Sequence, residues 1–284
     1  MRKILNILSA PFRWTFTSYQ HMVNFLTEEP EDTPLPDVVA NSVNDLEGVL
    51  YHVNELRKHL LRSVLFMIVT VSLSFIFTPK LIDYLAGPIG GIAKLQAIDP
   101  TEPISVFMRV ALLAGFVLAL PYIAFELWLF AAPGLKRHTR IYGLVAIPAV
   151  AIFFIGGMAF AYYAMLPAAL DFLLHFMGIS TIPRPSTYIS FVTGLMFWVG
   201  VIFEFPFVIF ILASMGFIHG RTLLKQWRIA IVIIAILAAV ITPTVDPISM
   251  GLLMAPMILL YFFSIGLAFL TGRKSVRAAT ENSV

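Results

Sequence analysis

Two glutamates stand where a lipid-embedded chain tolerates few charges. Glu204 lies in Phe203-Glu204-Phe205-Pro206 and Glu126 in Phe125-Glu126-Leu127-Trp128, each inside a long apolar run. A carboxylate near a bilayer centre costs at least ~2.5 kcal/mol, so such residues face a partner, a cavity or a substrate. Pro206 deprives a carbonyl one turn earlier of its donor and can kink the helix. A protonated Glu204 can donate to that carbonyl or to a neighbouring helix. Two readings stay open for it: a polar site that meets another helix or a proton, and an acid satisfied within the bundle. The same two are open for Glu126, which lies nearer the interface. A third acid, Glu55, sits among His52, Arg57, Lys58 and His59 just before the first apolar run. Glu55 and His59 are four apart and share a helix face. The group is either ordinary basic flanking with an ion pair or a carboxylate that accepts a cationic ligand. Arg109 is placed to extend toward the far headgroups.

Other chemistries have no support. The chain has no cysteine, so disulfides, thiol nucleophiles and Cys-ligated metals are excluded. HExxH, GxSxG and P-loop patterns are absent. The histidines at 21, 52, 59, 138, 175 and 219 form no helical pair inside an apolar run. Neither catalysis nor a metal, a cofactor or a nucleic-acid partner is expected.

The elements that must carry these residues are set by lipid. Of 284 residues 59% are hydrophobic and 12% charged, too apolar for a soluble domain of this size to hide. The expected fold is all-α, a polytopic membrane protein with six transmembrane helices. The runs are residues 60–77, stopped by Pro79; about 103–131, with Asp99 and Thr101 as cap candidates and Pro121 inside; 141–166, stopped by Pro167; about 188–217, with Pro206 inside; 229–241; and about 250–270, with Pro256 inside. The last two are read as short, with a re-entrant hairpin as the alternative. The loop from Pro79 to Glu102 contains Gly87-Pro88-Ile89-Gly90-Gly91 and is expected to cap the bundle from outside.

Lys and Arg fix the orientation. Arg57, Lys58, Arg62, Lys136, Arg137, Arg140, Arg221, Lys225, Arg228, Arg273, Lys274 and Arg277 fall on one side; Lys80, Lys94 and Arg184 fall on the other. The first side holds both termini, which are therefore expected in the cytoplasm. Residues 1–47 read as a cytoplasmic extension, 48–272 as the membrane domain and 273–284 as a cytoplasmic tail. Within the extension, Phe12, Arg13, Trp14, Phe16 and Tyr19 suit either a segment on the membrane surface or a tail without structure. No cleavable leader is expected. The acidic, proline-rich stretch from Glu28 to Asp37 cannot build a core and reads as a solvated linker.

Four segments together resemble the TatC family, the multispanning subunit of the twin-arginine protein translocase. His52-Val53-Asn54-Glu55-Leu56-Arg57-Lys58-His59-Leu60 is similar to the family's HLxELRxRL motif. Trp128-Leu129-Phe130-Ala131-Ala132-Pro133-Gly134-Leu135 is similar to WxFxAPGL, and Phe203-Glu204-Phe205-Pro206 to FExP. Thr242-Pro243-Thr244-Val245-Asp246-Pro247, followed by Ala255-Pro256-Met257, is similar to TPxxDP…PM. The motifs occur in the family's order over roughly residues 48–272. The resemblance implies a receptor in the bacterial inner membrane that binds twin-arginine signal peptides of folded precursors at its cytoplasmic face. It further implies recruitment of single-span TatA- and TatB-type partners, assembly with further copies of itself, and transport driven by the proton-motive force. Glu55, Arg57, Phe130 and Thr139 then fall in the signal-peptide site. Glu204 and Glu126 fall in a polar membrane site for partner helices, and Asp246 at the outer turn.

The chain departs from the family pattern in two places. Thr139 occupies the position of the family's second acid in the loop after the second span, and Glu126 stands where the family commonly has glutamine. Relocation of the lost carboxylate to Glu126 is one hypothesis, although Glu126 lies about thirteen residues earlier and deeper in the bilayer. The competing functions are a proton-coupled small-molecule transporter, with Glu204 as relay, and a structural membrane scaffold.

Overall fold

In a computed structural model the chain is described over residues 46–132, 137–175, 183–214, 217–242 and 247–281. These residues are helical, with turns between, and none is in a strand. The helices are α1 (Leu46–Ser74), α2 (Thr78–Leu85), α3 (Glu102–Ala131), α4 (Arg137–Phe160), α5 (Leu166–His175), α6 (Pro185–Phe203), α7 (Phe205–Ser214), α8 (Gly220–Lys225), α9 (Trp227–Ile241) and α10 (Pro247–Glu281). Helices dominate because lipid supplies no partner for backbone N–H and C=O groups, and a helix satisfies them internally.

Four stretches are long and apolar enough to cross a membrane: Glu102–Ala131, Ile147–Leu174, Pro185–Ala213 and Met250–Phe269. A fifth is the pair Val53–Ser74 and Thr78–Ile89, bent by 76° at the break between them. The fifth expected span, α9, has 15 residues, about 22 Å of helix against a hydrocarbon core of about 30 Å. The last span is not short, as the sequence suggested. Its apolar stretch has 20 residues, about 30 Å, and α10 continues through Pro256 and past residue 273.

Three prolines act differently from the expectation. Pro79 does not stop the first helix. That helix ends at Ser74, and Pro79 sits in the first turn of α2, where its missing N–H is not needed. Pro167 does not stop the third, because a π-turn at Ala161–Met165 joins α4 to α5 and the widened turn accommodates the ring. The fourth run is broken: Glu204 ends α6, and Pro206 lies in the first turn of α7.

α3 is the central element. It packs on α1, α4 and α6, while α10 gathers α7, α8 and α9. One buried cluster joins α3, α6 and α10 through Val106, Val110, Ile189, Val192, Leu253 and Tyr261. A second, around Trp128, Ile147, Val150 and Phe154, joins α3 to α4.

The loop between α2 and α3 closes over one end of the bundle. Leu85 and Ala86 are buried. The carbonyls that α2 leaves free at its C-terminus are taken by tyrosines of the bundle. Tyr162 donates to the Tyr84 carbonyl at 2.7 Å and Tyr188 to that of Leu85 at 2.8 Å. Gly90 and Gly91 adopt left-handed φ values of 92° and 97° and turn the chain back. The Arg184 guanidinium pairs with the buried Glu102, tying the start of α6 to the start of α3. Near that junction, the Thr101 N–H and hydroxyl bond Asp99 and hold its carboxyl below the usual carboxylate range. Converting both Tyr162 and Tyr188 to phenylalanine should strand two carbonyls and release α2, at about 1–3 kcal/mol each. Protease cleavage near Gly90 should then accelerate several-fold; an unchanged rate would mean that packing alone seats the loop.

Candidate functional site

The helix pair α1–α3 builds a polar site at its end from small contacts upward. In the middle of the pair, the Ser74 hydroxyl donates to the Ala111 carbonyl at 2.7 Å and the Thr70 hydroxyl to that of Gly115 at 2.8 Å. These bonds fix the register. One and a half turns further along, Phe66 stacks on Tyr122 with ring centroids 4.3 Å apart. Beyond that ring pair the interface turns polar.

Tyr122, Glu126 and Phe130 recur every four residues on α3, so they form one stripe. Glu55, Lys58, His59 and Arg62 form the facing stripe on α1. The Tyr122 hydroxyl donates to Glu126 Oε1 at 2.6 Å. His59 Nδ1 lies 2.6 Å from Glu126 Oε2, its N–H donating. His59 Nε2 is 3.9 Å from Glu55 Oε2, an electrostatic distance rather than a hydrogen bond. Lys58 Nζ donates to Glu55 Oε1 at 2.7 Å. Phe130 meets the His59 ring edge-on, 6.3 Å between centroids. The side chain of Glu126 is 4% exposed, that of His59 14% and that of Glu55 31%. The result is a gradient from a buried carboxylate, through an imidazole, to an accessible carboxylate.

The structure therefore brings together Glu55, Phe130 and Glu126, and adds His59 and Tyr122. Tyr122 was not singled out in the sequence, although its spacing of four from Glu126 marks it. Arg57 is exposed and points away from this face, two positions from Glu55 on α1. Thr139 belongs to α4, but its side chain lies outside the described residues, as does all of Asp246.

Glu126 and Glu204 do not share a site. Glu204 sits at the break between α6 and α7, near Phe154 of α4. Both of its carboxylate oxygens are buried without a hydrogen-bond partner among the described residues. The Phe154 backbone faces it, outside hydrogen-bond geometry. The expected bond from Glu204 to a carbonyl freed by Pro206 is not made. Instead the Glu204 N–H bonds the Val201 carbonyl at 3.1 Å, tightening the end of α6. Among the described residues no group of His, Asp and Glu is placed to hold a metal.

Long apolar helices around a central α3, with a polar cluster at one end of the α1–α3 pair, define a multi-pass helical membrane protein. Comparison with known proteins gives the family. The sequence profile described as Sec-independent protein translocase protein (TatC) matches residues 51–256, and the chain belongs to the TatC family. The TatC protein of Koribacter versatilis is 33% identical over 263 residues, 89% of this chain and 97% of its own length. That of Synechocystis is 34% identical over 242 residues, 84% of this chain and 94% of its own. A crystal structure of the twin-arginine translocase receptor TatC superposes with a TM-score of 0.65 at 30% identity, covering 78% of this chain and 99% of that one. The chain is thus a subunit of a protein translocase, a transport component and not an enzyme, and a multi-pass protein of the inner membrane. The small-molecule transporter expected as the alternative is set aside by this membership.

Proposed function

We propose that the chain is the receptor subunit of a twin-arginine translocase, crossing the membrane six times with both termini in the cytoplasm. The observation that carries this reading is Glu55: a partly exposed carboxylate next to His59, whose ring Phe130 borders, at the basic end of the α1–α3 pair and inside the family match. A guanidinium pairs with a carboxylate through two parallel bonds and lies flat on an aromatic ring, which Lys cannot reproduce. Glu55 accepts one arginine of the signal peptide after Lys58 moves aside, and Phe130 flanks it. Arg57 and Thr139 contact the rest of the peptide. Glu204, whose carboxylate oxygens are buried without a partner among the described residues, offers its carboxyl to a polar group on a TatA- or TatB-type helix. Asp246 shapes the outer turn. Several copies assemble in the receptor complex.

The test is binding of an Arg-Arg signal peptide and its Lys-Lys twin to the detergent-solubilised protein and to Glu55→Gln. The Arg-Arg peptide should bind about tenfold more tightly or better, in line with hydrogen bonds to charged groups, and the variant should lose that preference. Equal binding of both peptides to the unaltered protein would refute the receptor role.

A further inference from the structure

We propose that Glu126 is the second carboxylate of the arginine site, and that the His59 imidazole occupies the place between Glu126 and Glu55 that a peptide guanidinium takes on binding. This rests on the reading of Glu55 as an arginine acceptor.

A twin-arginine ligand brings two delocalised cations. At this end of the bundle the carboxylates whose side chains are described are Glu55 and Glu126. They lie on opposite sides of one ring: Nδ1 is 2.6 Å from Glu126 and Nε2 is 3.9 Å from Glu55. An imidazole and a guanidinium are both planar, with N–H groups directed outward in the plane. A flat donor that fits between these acids is therefore already present, and the gap to Glu55 shows that it fills the space imperfectly. A guanidinium has five donors, whereas a neutral imidazole has one and an imidazolium two, so it engages both carboxylates at once.

Three features make the exchange feasible. Glu126 keeps its Tyr122 bond at 2.6 Å throughout, so one oxygen stays anchored while the other changes partner. Phe130 already borders the ring position and so lines the place an incoming guanidinium takes. Lys58, 53% exposed, can release Glu55 into water at little cost. The burial of Glu126, at 4% exposure, gives the site its preference. A buried carboxylate needs a cation with well-placed hydrogen bonds, and a planar fork satisfies it better than a lysine ammonium does.

Binding of the Arg-Arg and Lys-Lys peptides should be measured on the full chain carrying Glu126→Gln, His59→Gln or Glu55→Gln. Each variant's melting temperature should be recorded alongside. Glu126→Gln keeps the shape and the bond from Tyr122, while its amide N–H donates to His59 Nδ1 in the other tautomer; the variant should remain folded, yet lose about tenfold in Arg-Arg affinity. His59→Gln, lacking the ring to be displaced, should bind at least as tightly as the unaltered protein. In that protein, the His59 ring-nitrogen NMR shifts should move when the Arg-Arg peptide is added, as Nδ1 leaves Glu126.

Full Arg-Arg affinity in a folded Glu126→Gln protein would overturn the proposal. So would an equal loss in His59→Gln and Glu126→Gln, which would make the pair a structural strut, and so would unmoved His59 shifts at saturation. A loss in Glu55→Gln with none in Glu126→Gln sinks this inference alone; no loss in Glu55→Gln sinks the receptor reading beneath it.

Discussion

Replacing Gly115 with alanine should part α1 from α3 and abolish Arg-Arg peptide binding, although Gly115 touches no peptide. A Cβ at Gly115 would lie 2.4 Å from Val71 Cγ2, 2.5 Å from Val71 Cα and 2.8 Å from Val71 N. Two of these atoms are backbone, so no rotamer change relieves the clash and the helices must separate. Overpacking of this kind costs about 1–3 kcal/mol even where side chains can yield. Separation also strains the bonds from Thr70 to the Gly115 carbonyl and from Ser74 to that of Ala111. In lipid, no hydrophobic drive pulls two helices back together; close packing and such bonds are what hold them. α1 has α3 as its main neighbour among the described residues, so the pair depends on this one interface. The Glu55–His59–Glu126 arrangement, spread across the pair, should open with it. Because the chain has no cysteine, a pair introduced at positions 66 and 122 gives a clean cross-linking readout. Its yield and the melting temperature should both fall. An unchanged yield with intact peptide binding would show that the pair tolerates the wider spacing.

The second large effect is expected at the crossing of α4 and α6. A Cβ on Gly157 would come within 2.9 Å of Gly200 Cα, the Val199 carbonyl and Phe203 Cγ. Gly200 has no side chain to shrink, so α6 must move as a body. Gly157→Val, with two further carbons aimed at the crossing, should destabilise the bundle by about 2–3 kcal/mol. Glu204 follows Gly200 by one turn and would be carried with α6, exposing oxygens that are now buried. Export of a twin-arginine reporter should fall at least as steeply as stability. Phe203→Ala, which removes the Cγ that makes one of the three contacts, should restore part of the loss. If Gly157→Val left the melting temperature unchanged, the crossing would not be as tight as the contacts indicate.

How much of this was legible beforehand differs from residue to residue. The apolar runs placed the second, fourth, fifth and sixth spans within a few residues but missed the start of α1 and the extension of the third run to His175, because a lipid environment forces long internally bonded segments and marks only their apolar part by composition. The order of the four motifs carried the family. The prolines misled, since the sequence shows where an N–H is missing but not whether the turn around it adapts. At Pro79 the chain starts a new helix, at Pro167 a π-turn absorbs the ring, and near Pro206 the break falls at Glu204 instead. The loop between α2 and α3 was expected as a cap, yet the tyrosines that seat it, Tyr162 and Tyr188, gave no signal because their partners are backbone carbonyls far along the chain.

The site divides the same way. Sequence by itself determined that Glu126 and Glu204 are unusual, since the cost of a carboxylate in lipid follows from residue type and depth along an apolar run, and it marked Glu55 as an acid among basic residues at the edge of the first run. It could not determine which of them meet. His59 and Glu126 are 67 positions apart, and their contact depends on which faces of α1 and α3 are turned together. That rotation is set by Gly115 against Val71 and by two hydroxyls on α3 carbonyls, contacts between helices that neither helix encodes alone. The tertiary structure therefore decided that Glu126 belongs with Glu55 and not with Glu204, because helix pairing in a membrane is selected by close approach at small residues and not by the hydrophobicity that every span shares.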